Sequence, residues 1–222
     1  MTHEDALKTT RLLQSYWLRS CRSAPPESSA QVLAQVLARW SEPQRAYHTT
    51  QHLLEALTLL DEWSRGEEWP ATVALALFFH DLVYDPQRAD NEDMSALAAR
   101  EMLAPLQVPQ ARIEAVVRLI DITKHAARPL TEDEKLMVDI DLSILGAAPE
   151  RYAEYCAQVR REYAHVPEPL FTRARLAVLE AFLNARPALF HTARGRAAFD
   201  AAAARNLTQE VAQLRAALAA AA

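Results

Sequence analysis

A histidine directly followed by an aspartate, His80-Asp81, closes the apolar run Leu75-Ala76-Leu77-Phe78-Phe79. An ionised carboxylate set against such a segment is costly unless a partner offsets it. A divalent cation satisfies imidazole and carboxylate at once. The doublet alone is a common dipeptide. Its weight comes from Tyr47-His48 upstream and Asp139-Ile140-Asp141 downstream. His48, His80, Asp81 and Asp141 each stand near the start or end of an apolar helical stretch, and neighbouring helices of a bundle can bring such ends to one point. Two imidazoles and two carboxylates form a mixed nitrogen and oxygen donor set. That set suits Mn, Fe, Co, Ni, Zn or Mg better than it suits a thiolate-preferring ion.

The elements that must position these residues are helical. The chain of 222 residues has only 3 glycines, half of its residues are hydrophobic, and its 12 prolines act as punctuation. This composition, rich in strong helix formers, predicts an all-α protein. Leu7, Leu12, Leu13, Trp17 and Leu18 predict a first helix to about Arg22, broken by Ser23-Ala24-Pro25-Pro26. Ser28 or Ser29 caps a second helix through Val32, Val36, Leu37 and Trp40. Tyr47-His48 stand near the start of a third, with Leu53, Leu54, Leu57, Leu60 and Trp63 on one face. Pro70 fits the first turn of the helix that ends in the His-Asp doublet.

Beyond the polar loop Asp85 to Asn91, the next helix carries Met94, Leu97, Ala98 and Met102, and another runs through Ile113, Val116, Val117 and Ile120 to His125. Thr131 with Glu134 forms a capping box for the helix reaching Asp139 and Asp141, and Gly146 supplies a stop. Helices follow at roughly Pro149 to His165, Glu168 to Ala185 and Arg194 to Ala220. With no repeat and no linker, residues 1–222 read as a single domain. The stripe Leu207, Val211, Leu214 and Leu218 packs the last helix on the same bundle or, alternatively, makes a homodimer.

The formal net charge of -5 includes no basic stripe, which argues against a nucleic-acid polymer or an acidic membrane surface as partner. Two well-separated cysteines, Cys21 and Cys156, suggest reduced thiols and a cytoplasmic location. The polar N-terminus is unlike a signal peptide, and the apolar run from Val73 to Phe79 is too short to span a bilayer.

The order His48, then His80-Asp81, then Asp141 resembles the HD superfamily of metal-dependent phosphohydrolases. The chain is further similar to a small bacterial family within it. The likeness is carried by Tyr47-His48 with His52-Leu53, by Phe79 to Asp85, and by Asn91-Glu92 with Ser95-Ala96. It continues through Thr123-Lys124-His125, Asp139 to Gly146, Glu162-Tyr163, Phe171, Arg175, Val178-Leu179, Phe182-Leu183 and Asn206-Leu207. The resemblance implies a single HD-domain-like helical bundle. It also implies that His48, His80, Asp81 and Asp141 ligate a divalent metal whose bound water attacks a phosphoester or phosphoanhydride bond. The substrate would be a small phosphorylated metabolite or nucleotide.

The choice of Asp141 over Asp139 follows the superfamily habit of an Asp followed by a short Leu-containing helical run. Asp139 then either orients a ligand imidazole or is a helix-end carboxylate. Asp81 orients the water. Asp85 moves a proton, because Tyr84 stands where nucleotide-cleaving relatives carry the first acid of a pair. Lys124, His125 and Arg175 neutralise phosphate charge, and Asn91 and Glu92 add contacts at the pocket mouth. The same residues have plainer roles: Lys124 solvated, His125 capping a helix, Arg175 in a structural salt bridge, Asn91 as N-cap and Glu92 at a helix dipole. His48 and His52 have the spacing of zinc-protease histidines, but Thr49 stands where the catalytic Glu would be. His52 is therefore read as a core or ring-supporting histidine. A di-iron oxygenase and a non-catalytic metal-containing nucleotide-binding module are the rival functions.

Overall fold

The computed structural model describes residues 3–184 and 189–220, and among the described residues proline punctuation sets off ten α-helices and two 3-10 segments, with no strand. The helices are α1 (His3–Ser20), α2 (Pro26–Trp40), α3 (Thr50–Trp63), α4 (Ala71–Phe79), α5 (Asn91–Leu103), α6 (Gln110–Ile122), α7 (Glu132–Asp141), α8 (Pro149–Glu162), α9 (Glu168–Leu183) and α10 (Ala193–Ala220). The fold is all-α, as composition predicts. The backbone forms two compact units, Met1–Ile140 and Asp141–Ala222. No helix among the described residues is long and apolar enough to cross a membrane.

The first unit is built around α4. Val73 to Phe79 are buried without exception, because a helix apolar on every side must be enclosed. Helices α1, α3, α5 and α6 enclose it. Trp17 meets Phe78 edge to face at 5.1 Å, and its indole N–H donates to Ser29 Oγ at 2.9 Å. The Trp40 indole donates to the Phe78 carbonyl at 2.9 Å, giving a partner to one of the carbonyls that the end of a helix leaves open.

Several boundaries differ from those read in the sequence, for local reasons. Ser28 and Ser29 lie inside α2, which starts at Pro26 after Pro25. Proline at the first helical position gives up no hydrogen bond. The third helix begins after Tyr47-His48, where the Thr49 hydroxyl caps it by accepting the Gln51 N–H at 3.3 Å. The N-cap of α5 is Asp90, not Asn91. His125 lies beyond α6 with φ 52°, a left-handed conformation that cannot continue a helix. The capping box holds: Glu134 N–H donates to Thr131 Oγ1 at 3.2 Å, while Glu134 Oε2 accepts the Thr131 N–H at 3.0 Å. Helix α8 stops at Glu162. The predicted end of the following helix, Ala185, lies outside the described residues.

In the second unit, α10 packs on α9 and on the 3-10 segment Leu142–Gly146. Gly146 is required by close approach: a Cβ there would stand 2.7 Å from Phe199 Cβ. The Asn206 amide donates to the Leu145 and Ala147 carbonyls, each at 2.9 Å, and so secures the end of that segment. The stripe on α10 is buried at Leu207 and Val211 and half-buried at Leu214 and Leu218.

Candidate metal centre

Three side chains of the first unit converge: His52, His80 and Asp81, with one ligand atom from each lying within 4.8 Å of the others. His80 is the C-cap of α4, and the chain leaves the helix immediately after it. The His80 Nε2 stands 3.0 Å from Asp81 Oδ2 and 3.3 Å from His52 Nε2; His52 Nε2 lies 3.9 Å from the same carboxylate oxygen. His80 and His52 are almost wholly enclosed, with side chains 1% and 5% exposed, while Asp81 at 17% opens the group to solvent.

The other nitrogen of each ring decides what these atoms can do. His80 Nδ1 faces the Leu77 carbonyl at 3.0 Å. A carbonyl only accepts, so Nδ1 carries a proton, and Nε2 is the nitrogen placed to meet a cation. His52 Nδ1 faces the Tyr47 hydroxyl at 3.1 Å. An imidazole nitrogen and a carboxylate oxygen 3.0 Å apart call for a cation or a shared proton between them. The donor chemistry fits a divalent ion. Ligands at about 2.1 Å from such an ion stand roughly 3–4 Å from one another, the spacing found here. These rings and their fixed Nδ1 partners also match how proteins orient metal-binding histidines.

His52 is the residue that sequence reading set aside. It lies in the first turn of α3, and its burial is that of a core residue, yet its Nε2 points into the group. His48 stands at the rim, with its Nε2 3.9 Å from Asp81 Oδ2 and its ring stacked on Tyr84 at 4.0 Å. Tyr84 thus forms a wall beside His48. Asp141 is the last residue of α7 and the first of the second unit. Asp139, on α7 in the first unit, is wholly buried.

Arg45 is a second residue the sequence did not single out. Its side chain is 0% exposed and reaches three carbonyls: His48 at 3.2 Å, Asp81 at 2.7 Å and Leu82 at 2.8 Å. One guanidinium fork therefore ties the turn bearing His48 to the turn bearing Asp81. Glu42 accepts from its Nε at 3.2 Å, and the Trp40 and Tyr84 rings lie 5.5 and 5.6 Å from its carbon centre. An arginine in a polar loop carries no sequence signal of burial; only the surrounding aromatics, Trp40 and Tyr47, hint at it.

The expected substrate contacts are largely committed elsewhere. Asp85 is not one helical turn beyond Asp81, because the chain is irregular there. Its Oδ1 accepts the Gln87 N–H at 2.9 Å. The Asn91 side chain accepts the Asp85 N–H at 3.1 Å and donates to the Asp85 carbonyl at 2.9 Å, so it staples the loop instead of facing a pocket or capping α5. Ser95 does the same for Val83, accepting its N–H at 3.0 Å. Glu92 is half-buried in the first turn of α5. Lys124 is held by Asp121 at 2.6 Å and Asp93 at 2.7 Å, which raise its pKa and neutralise its charge. His125 is exposed.

Arg175, in the second unit, makes the structural salt bridge rather than an open phosphate clamp. Its Nε and Nη2 donate to Glu210 at 2.8 and 3.2 Å, and its Nη1 donates to the Tyr155 hydroxyl at 3.0 Å. Comparison with protein-family models, with curated proteins and with solved structures finds no match.

Proposed function

We propose that the first unit carries a metal-dependent phosphohydrolase centre acting on a small phosphorylated metabolite or nucleotide. The observation that supports this reading is the convergence of His52 Nε2, His80 Nε2 and an Asp81 carboxylate oxygen, with both imidazole Nδ1 atoms already partnered. His52, His80 and Asp81 would hold the ion, with His48 beside them. A divalent ion so held supplies a Lewis acid for a phosphoryl oxygen and makes a bound water more acidic.

The chain's own residues prepare the site. Tyr47 and the Leu77 carbonyl fix the two ring orientations, and Arg45 fixes the turns that carry His48 and Asp81. Asp81, the most open of the three, is the group able to orient a water. Asp85 Oδ2 accepts no hydrogen bond among the described residues and serves as a proton carrier.

The test is metal content of the purified full chain, of His80→Ala and of His52→Ala, paired with phosphate release from nucleotides and generic phosphoesters. Both substitutions are expected to lower bound metal and activity together. Metal retained in full by both variants would sink the site. Metal bound without phosphate release from any substrate would favour the oxygenase or binding-module reading.

A further inference from the structure

A cleft of about 340 Å³ opens in the first unit at the N-terminal end of α4, lined by Arg19, Arg22, Cys21, Glu68, Trp69 and Arg112 among others. Three arginines share one cleft in a chain of net charge -5, and Glu68 is the single acid among the lining residues. The arginines are not equivalent. Arg19 is neutralised by Asp61 at 2.5 Å, and its guanidinium lies 4.0 Å over the Trp69 ring, so it forms a fixed wall. Trp69 is itself held by its indole N–H, which donates to Ser20 Oγ at 3.0 Å, and by stacking on Tyr16 at 5.7 Å.

Arg22 and Arg112 are exposed and make no side-chain hydrogen bond or ion pair among the described residues. The nearby Cys21 is not their counter-ion. Burial pushes its thiol up to about 12 against the opposing charge of Arg112, so it stays neutral near pH 7. Helices α4 and α6 both begin at this cleft, after Pro70 and Pro109, and neither has a side-chain cap on its first N–H groups. The Ala71 and Arg112 N–H groups donate to the Trp69 and Pro109 carbonyls, each at 2.8 Å, and the two helix dipoles add to the positive field.

We propose that this cleft is a binding site for a small phosphate-class anion. Guanidinium forks match phosphate oxygens in charge and geometry, and the volume lies at the lower end of small-molecule sites, which run from roughly 300 Å³. The site is separate from the histidine cluster. The nine residues of α4 place its two ends about 13 Å apart, with the cleft at the first residue and His80 just past the last.

Calorimetric titration of pyrophosphate and inorganic phosphate into the metal-stripped full chain, at fixed ionic strength, tests the proposal. The wild type is expected to show one saturable site. Arg22→Gln with Arg112→Gln is expected to weaken it at least about tenfold. Glu68→Gln, which removes the only lining acid, is expected to tighten it. Both arginines are exposed, and an unchanged circular dichroism spectrum would verify the fold of each variant. Absence of saturable binding, equal affinity in the arginine variant, or citrate bound as tightly as pyrophosphate would overturn the proposal.

Discussion

Two buried polar clusters, one in each unit, solve the problem of enclosed charge in opposite ways. In the second unit, Glu210 receives two hydrogen bonds from Arg175, one from the Tyr152 hydroxyl at 2.5 Å and one from the Cys156 thiol at 3.4 Å. Every donor there meets an acceptor, and one positive charge meets one negative charge. Burial alone would raise the Glu210 pKa, but Arg175, Tyr152 and Cys156 outweigh it and hold the carboxyl below its ordinary value. The group of His52, His80 and Asp81 is built differently. One nitrogen of each ring converges with the carboxylate, and the other meets the Leu77 carbonyl or the Tyr47 hydroxyl. A balanced network matches each charge with its opposite inside the fold; a set of converging nitrogen and oxygen donor atoms also suits a cation. That difference, more than burial, separates a structural cluster from a candidate site.

Removing one partner from the balanced network is expected to have the largest effect. Glu210→Ala leaves the Arg175 charge enclosed and should lower unfolding free energy by about 3–5 kcal/mol in urea titrations of the full chain. Replacing both residues, as Arg175→Met with Glu210→Leu, should recover most of that loss. The pH dependence follows in sign. A carboxyl whose pKa is depressed in the folded state stabilises the fold above its unfolded value, near 4.5. That stability is lost as pH falls from there through the lower folded value. Glu210→Gln should flatten this acid limb. Unchanged stability in Glu210→Ala would remove the distinction between the clusters.

The converging group should respond in metal affinity instead of in fold. Tyr47→Phe removes the hydroxyl partner of His52 Nδ1 and is expected to weaken metal binding roughly 10–100-fold, read by competition with a chelating dye. An affinity equal to wild type would show that Tyr47 does not orient the ring. The smallest effect belongs to a surface pair that resembles neither cluster. Lys124→Met breaks bonds to Asp93 and Asp121, whose side chains are each 65% exposed. It should cost about 1 kcal/mol or less, diminishing further in high salt. A larger loss in thermal melts would mean that this pair belongs with the buried network.

Interactions that close within one helical turn were legible in the sequence. Thr131 and Glu134 cap α7 as their spacing requires, Pro149 stands at a helix start, and the uninterrupted apolar run of α4 foretold its enclosure. The His80-Asp81 doublet at the end of that run marked the candidate site for the same reason: a polar pair against an apolar helix demands a partner. Composition alone carried the all-α class.

What only the tertiary structure decided was which polar groups meet. Arg175 and Glu210 pair across 35 residues of chain, and Arg45 reaches the Asp81 carbonyl across 36. His52 enters the candidate centre because the first turn of α3 meets the end of α4, and Asn91 leaves it because its amide closes on Asp85. Residue type sets what a side chain can donate or accept. Helix packing and rotamer choice set where those atoms arrive, and spacing along the chain does not encode them.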